Sequence, residues 1–275
     1  MTTEPLAFDL KGVRQSYAKD AESLTGISLS VVPGEHIAVV GANGSGKSTL
    51  LKVLDGLVFP SAGEVLVFGK PLTEESLEDP SFRREFRSRV GFVFQDADVQ
   101  LFCSNVQDEL AFGPLQLGLP EAEVRERIDE VAEGLRLEKL LDRAPYSLSG
   151  GEKKRVAIGA VLSMRPQILL MDEPTNALDP RSQVWLLEVL AEMKSAGRTV
   201  ILATHDLGSA AEFADRMVVL SEEHCIVADA APDDVLEQRD LLLSVNLIHE
   251  HSHRHAGAAH VHAHAHGHGH THEDG

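Results

Sequence analysis

Cysteine, basic tracts and long apolar runs are what this 275-residue sequence has least of. Its two cysteines, Cys103 and Cys225, lie far apart with no C-x-x-C pattern. That fits a reducing compartment and predicts buried, inert thiols. The opening "MTTEPLAFDL" has no basic segment and no apolar run, so no secretion signal is expected. No stretch approaches the roughly 18 apolar residues of a spanning helix. The chain is therefore expected to be soluble and cytoplasmic unless it docks on a membrane partner. The formal net charge is −18, and the last 27 residues hold only three of the acids, so the acidity belongs to the body. A body with no basic stretch argues against nucleic acid as a partner. What is present is 43% hydrophobic residues, enough core for one large domain or two small ones.

Along the chain, residues 5–40 read as short strands broken by turns, with "VVPGE" (31–35) a clear turn and "HIAVV" (36–40) a buried strand. Residues 49–57 read as a helix and 61–69 as a hairpin arm. Val124, Ile128, Val131 and Leu135 fall on one helical stripe beginning near Pro120, which suits a first turn. A helix follows "LSGGE" (148–152), then a strand at 167–171, a helix at 180–196, and strands at 199–203 and 217–220. Asp179, Pro180 and Gly197 supply the cap, first position and stop of the 180–196 helix. The alternation predicts an α/β fold with a mostly parallel sheet covered on both faces, interrupted by a helix-rich insertion within 75–145.

Residues 41–48, "GANGSGKS", follow a strand and open a helix, the context of a phosphate loop. Gly41, Gly44 and Gly46 let the backbone wrap an anion, and the intervening Ala42, Asn43 and Ser45 contribute N–H groups to the nest. Lys47 can reach the β and γ phosphates. Ser48 can ligate Mg²⁺, with Thr49 beside it. In "QILLMDE" (167–173) two acids follow an apolar strand, at the end that faces the ligand crevice of a parallel sheet. Asp172 suits Mg²⁺ and Glu173 suits polarising an attacking water. Together these predict a nucleotide hydrolase.

"LSGGEKKR" (148–155), between "GANGSGKST" and "LLMDEPTNALD" (169–179), resembles the signature of ATP-binding-cassette ATPases. The resemblance runs to about residue 248. It implies a P-loop NTPase with an N-terminal antiparallel β subdomain, an inserted helical subdomain at about 97–165 and a short helical extension at about 231–248. It implies ATP and Mg²⁺, and two subunits, identical or different, paired head to tail. The phosphate loop of one then faces Ser149, Gly150 and Gly151 of the other across each ATP. Tyr17 matches the aromatic that stacks on adenine, where simple packing is the alternative. Gln95 matches the glutamine that senses Mg²⁺ and water and links the site to a membrane partner. Asp179 matches the subunit-interface aspartate, and it is also a helix cap. His205 in "LATHD" matches the histidine at the γ-phosphate.

Residues 92–119 and 232–247 resemble the ATPases of energy-coupling-factor transporters, especially the cobalt and nickel branch. That implies two ATPases peripheral on the cytoplasmic face, a transmembrane coupling protein and a membrane protein that captures the substrate. A vitamin or another metal is an alternative cargo. A soluble ATPase acting on ribosomes or DNA fits less well with one acidic cassette, and a metal store with a degenerate cassette conflicts with the intact motifs. Residues 249–275 form a tail with eleven of the 14 histidines, and His260, His262, His264, His266, His268, His270 and His272 alternate with other residues, most of them small. Such a tail is expected to be disordered and to bind Ni²⁺, Co²⁺ or Zn²⁺, as a reservoir, a sensor or an incidental chelator.

Overall fold

In a computed structural model, residues 5–18, 21–176, 178–255 and 258–265 are described. β1 (Phe8–Ala18) and β2 (Ala21–Val31) pair as an antiparallel hairpin. β3 (His36–Gly41), buried at every position, leads into α1 (Lys47–Leu54). β4 (Ala62–Val67) and β5 (Lys70–Pro71) return to the hairpin and complete a four-stranded antiparallel sheet, ordered β2-β1-β4-β5. α2 (Glu74–Glu78) and α3 (Pro80–Arg89) precede β6 (Val90–Val93). The helices α4 (Ala97–Gln100), α5 (Val106–Gln116), α6 (Glu121–Gly134) and α7 (Gly150–Leu162) then intervene before β7 (Ile168–Asp172). α8 (Pro180–Ser195), β8 (Thr199–Thr204), α9 (Leu207–Phe213), β9 (Arg216–Leu220) and β10 (Ile226–Ala230) finish the core. α10 (Pro232–Leu236) and α11 (Arg239–Ser244) follow it.

The second sheet has six strands in the order β10-β9-β3-β8-β7-β6. Five run parallel and β10 closes one edge antiparallel to β9. β3, β6, β7 and β8 are buried throughout, as parallel strands covered on both faces must be. Three apolar clusters account for that cover. One lies between the antiparallel sheet, α1 and the parallel sheet; a second gathers α5 to α8; a third packs α9, α10 and α11 on β3 and β9. Among the described residues no helix is long and apolar enough to cross a membrane.

Local chemistry sets the element ends. The Asp179 carboxylate accepts from the Ser182 amide at 3.0 Å, Pro180 takes the first position of α8, and Gly197 follows the helix at φ 66°. α6 starts one residue after Pro120, which caps it rather than entering its first turn. On its inner face Ala132 is buried and Val131 only half-buried. Both cysteines are free and half-buried, not buried; at Cys103, burial and the nearby Glu109 push the thiol further up from its ordinary value. From residue 249 onward the composition predicts no regular structure. Instead β11 (Ile248–His255) and β12 (Ala258–Ala265) run as a two-stranded antiparallel ribbon. Alternation at every second residue has the period of a strand, which the count of small residues does not weigh. His266, His268, His270 and His272 lie outside the described residues.

Candidate active site

The phosphate loop sits where β3, flanked by β8 and β9, leaves the sheet. Gly46 turns at φ 104°, and a Cβ there would stand 2.3 Å from the Ser23 carbonyl oxygen, so only glycine fits against β2. The same contact brings the β1–β2 hairpin, with an exposed Tyr17 near its tip, beside the loop. Gly41 and Ser45 are buried while Asn43 and Gly44 are exposed, so the loop presents one edge to solvent. Thr49 is buried in the first turn of α1. α1 has no side-chain cap and no acid in its first turn. Its leading amides are thus left for an anion, and its dipole favours one.

Lys47 is buried and folded back over the loop, donating to the carbonyls of Gly41 at 2.8 Å and Ala42 at 3.1 Å. Burial pushes its ammonium below the ordinary lysine range, against the pull of Glu173 and Asp172. The parallel register pairs Asp172 with Ala203, and the Glu173 amide donates to the Ala203 carbonyl at 2.9 Å. That register sets Glu173 against the residues that end β8. Its Oε1 lies 3.0 Å from His205 Nδ1 and 3.7 Å from Lys47 Nζ, and its Oε2 accepts from Thr204 Oγ1 at 3.3 Å. Glu173 itself is 5% exposed and sits at φ 42°, a left-handed backbone that costs a side-chain-bearing residue on the order of 1–2 kcal/mol. The His205 side chain is 38% exposed and so reaches solvent from this buried cluster.

Asp172 has the chemistry of a cation ligand. Burial raises its carboxyl above the ordinary range, the Ser48 hydroxyl bonds to it, and its Oδ1 is buried without a hydrogen-bond partner. A hydroxyl beside an orphaned carboxylate oxygen fits a hard divalent ion such as Mg²⁺. Gln95 stands exposed just past β6, with its backbone carbonyl held by Lys154 Nζ at 2.9 Å.

Ser149, Gly150 and Gly151 open α7, the first two of them exposed. Ser149 and Glu152 form a capping box: the Ser149 amide donates to Glu152 Oε2 at 2.8 Å and the Glu152 amide to Ser149 Oγ at 3.4 Å. Gly151 lies close to Ser182 and Asp179, so the starts of α7 and α8 are neighbours. Among the described residues no hydrogen bond or ion pair links Ser149, Gly150 or Gly151 to residues 41–49 or to Glu173. His260, His262 and His264 lie on β12. Two contributors are absent from the sequence reading. Thr204 shares the Glu173 carboxylate and accepts from the Asp206 amide at 3.1 Å. Lys154 is a buried cation whose ammonium, lowered by burial to about 8, faces Asp172, Asp96 and Glu173. Its signal was available: it shares a helical stripe with Ile158 and Val161, where an apolar residue is the norm.

A family model for the ABC transporter matches residues 24–176. The nickel import ATP-binding protein NikO of Rhodobacter capsulatus is 47% identical over 245 residues, 88% of this chain and 96% of that protein. An energy-coupling factor transporter ATP-binding protein, EcfA, of Methanothermobacter thermautotrophicus is 40% identical over 87% of this chain and 75% of its own length. Among solved structures, CbiO1 of Clostridium perfringens, part of the transporter complex CbiONQ, superposes with a TM-score of 0.75 at 35% identity, covering 89% of this chain and 96% of that one. A dimeric ATP-binding cassette in a post-hydrolysis state with ADP and Pi superposes with a TM-score of 0.75 at 28% identity, covering 82% of this chain and 98% of that one.

Proposed function

Because the chain belongs to the ABC transporter ATP-binding family, an ATP-hydrolysing subunit of the energy-coupling-factor type, we propose that its hydrolysis powers import of Co²⁺ or Ni²⁺ through membrane partner subunits. The observation that carries the cargo is the likeness to a nickel-import subunit across nearly the whole of both chains. The histidine-rich segment after residue 248 agrees with it, since neutral imidazole is a good ligand for both ions.

Residues 1–248 hold the ATPase and 249–275 a tail that binds metal through its histidines. ATP lies on the loop of residues 41–49, with its adenine against Tyr17. Lys47 leaves the Gly41 and Ala42 carbonyls for the β and γ phosphates, trading two carbonyl acceptors for a charged one. Ser48, Asp172 and Gln95 would hold Mg²⁺, which would supply positive charge against the phosphates. Glu173 takes the proton of the attacking water, and its 3.0 Å contact with His205 aims His205 at the γ-phosphate. Ser149, Gly150 and Gly151 of a second subunit cover the same phosphate, with Asp179 at the interface. The dimeric cassette with ADP and Pi supports that arrangement. Gln100, five residues after Gln95, lines a groove of about 1090 Å³ between α3, α5 and α7, edged by the exposed Phe102 and Phe112. This groove, with its exposed phenylalanines beside Arg83, Arg84 and Arg87, suits a helix of the transmembrane coupling protein on the cytoplasmic side of the membrane.

The test is uptake by the full complex of this chain with its coupling and capture proteins, measured for Co²⁺ and Ni²⁺ with ATP. Uptake of either ion, lost in Glu173→Gln, is the expected outcome. The energy-coupling-factor relative favours a second reading, a vitamin as cargo. Vitamin uptake without metal uptake by that complex would select it.

A further inference from the structure

The segment after β6 is fastened to α7 at three points. Lys154 Nζ donates to the carbonyls of Phe94 and Gln95, each at 2.9 Å. The Gln100 side chain accepts from the Phe94 amide at 3.0 Å and donates to the Ala157 carbonyl at 2.9 Å. Lys153 pairs with Asp98 at 2.6 Å on the exposed side. The first of these is the unusual one. Lys154 is 4% exposed, on a face it shares with Ile158 and Val161, and among the described residues no carboxylate pairs with it at salt-bridge distance. Burying an ammonium with Asp172, Asp96 and Glu173 near but none in direct contact is costly, and packing alone would be met better by methionine. What the lysine adds is a grip on two consecutive backbone carbonyls, one of them that of Gln95.

Ser149 caps the same helix five residues earlier, about 7.5 Å along its axis. A hydrogen-bonded helix of 13 residues transmits a displacement at its start to its second turn without loss. We propose that Lys154 is a positioning residue that couples the start of α7 to Gln95, so that seating of a second subunit's phosphate on Ser149, Gly150 and Gly151 moves the 94–100 segment with it. The inference rests on the ATPase reading of the site. It adds a route by which each nucleotide reports, through the other subunit, to the segment whose Gln100 lines the groove. Gln100 and Lys153 follow α7 as well, but neither holds Gln95 itself.

The experiment is amide hydrogen exchange over residues 94–101 in the full chain, with and without Mg²⁺ and a non-hydrolysable ATP analogue. Affinity for the analogue is measured on the same samples. In the wild type the analogue should slow exchange by about tenfold, and Lys154→Arg, which keeps the donors, should retain that change. Lys154→Met should bind the analogue within about threefold of wild type yet show about twofold slowing or less. A merely structural tether would instead raise exchange equally with and without nucleotide, leaving the ratio untouched. A wild-type ratio in Lys154→Met overturns the proposal. Should that variant not fold, Lys154→Gln, with one short donor, is expected to show a reduced ratio, and a wild-type ratio there overturns it equally. If the wild type fails to bind the analogue, the ATPase reading falls first and this inference with it.

Discussion

Two helix starts in this chain invite the same ligand and are prepared for it differently. α1 begins without a side-chain cap, behind a glycine at φ 104°, with a buried lysine and two buried acids around it. α7 begins with a closed Ser149–Glu152 box on an exposed surface, which answers the Ser149 and Glu152 amides from within and leaves those of Gly150 and Gly151 between them. An uncapped helix end leaves all its leading amides for an anion, whereas a capping box answers two of them and leaves fewer for a ligand. In the proposed head-to-tail pairing the first start takes its phosphate from within its own chain and the second from a partner, so both have a use.

The sharpest way to separate the two starts is to disable chemistry without touching either. Glu173→Gln keeps the shape and the Thr204 contact but removes the negative charge beside His205; steady-state hydrolysis should fall by about 10²–10⁴-fold while ATP binding persists. Ample turnover by this variant would remove Glu173 from the mechanism. Lys47→Ala strikes the first start. Losing a charge-assisted contact of about 1.5–3 kcal/mol should weaken nucleotide binding by about 10–100-fold in calorimetry. Ser149→Arg strikes the second. It should cut hydrolysis by about tenfold or more and leave binding to the single chain within about threefold, the reverse of the Lys47 pattern. Equal losses of binding in both variants would erase the distinction drawn here.

The smallest effect concerns the strand beneath the first start. His36, fully buried on β3, packs its ring at a tilt against Phe213 and has its Nε2 3.1 Å from the Arg198 carbonyl oxygen; burial lowers its pKa from 6.5. The folded state therefore resists protonation more than the unfolded one. Its contribution is whole above pH 6.5 and is lost as pH falls from 6.5 toward the depressed folded value. His36→Leu should cost about 1 kcal/mol at pH 7.5, where a hydrogen bond is lost. It should also flatten the decline in urea midpoint between pH 7.5 and 5. An unchanged decline would show that the acid sensitivity lies in other groups.

Motifs whose meaning is local were legible in the sequence. The glycines of 41–46, the acids 172–173 and the Asp179–Pro180–Gly197 punctuation each depend on neighbours a few residues away, and each stands where the pattern placed it. Contacts made by distant strands were not. Thr204 meets Glu173 because β7 and β8 share a register, and Lys154 meets Phe94 because α7 packs on β6 across 60 residues. β4 reads as a hairpin arm, yet its partner besides β5 is β1, some 50 residues earlier. The strands at 248–255 and 258–265 were missed for a different reason: composition says which residues cannot build a core, but it is blind to the order that gives a strand its period.

The left-handed backbone at Glu173 carries a consequence for anyone who would improve this protein by selection. Glycine or asparagine at that position would relieve on the order of 1 kcal/mol of backbone strain in the turn after β7, and either would give up the acid together with its contacts to Lys47, Thr204 and His205. A library sorted for heat resistance alone weighs only that strain against those contacts and takes no account of turnover at residue 173. Durability and turnover meet there within a single codon, and only a screen that reads both will weigh the glutamate for its chemistry.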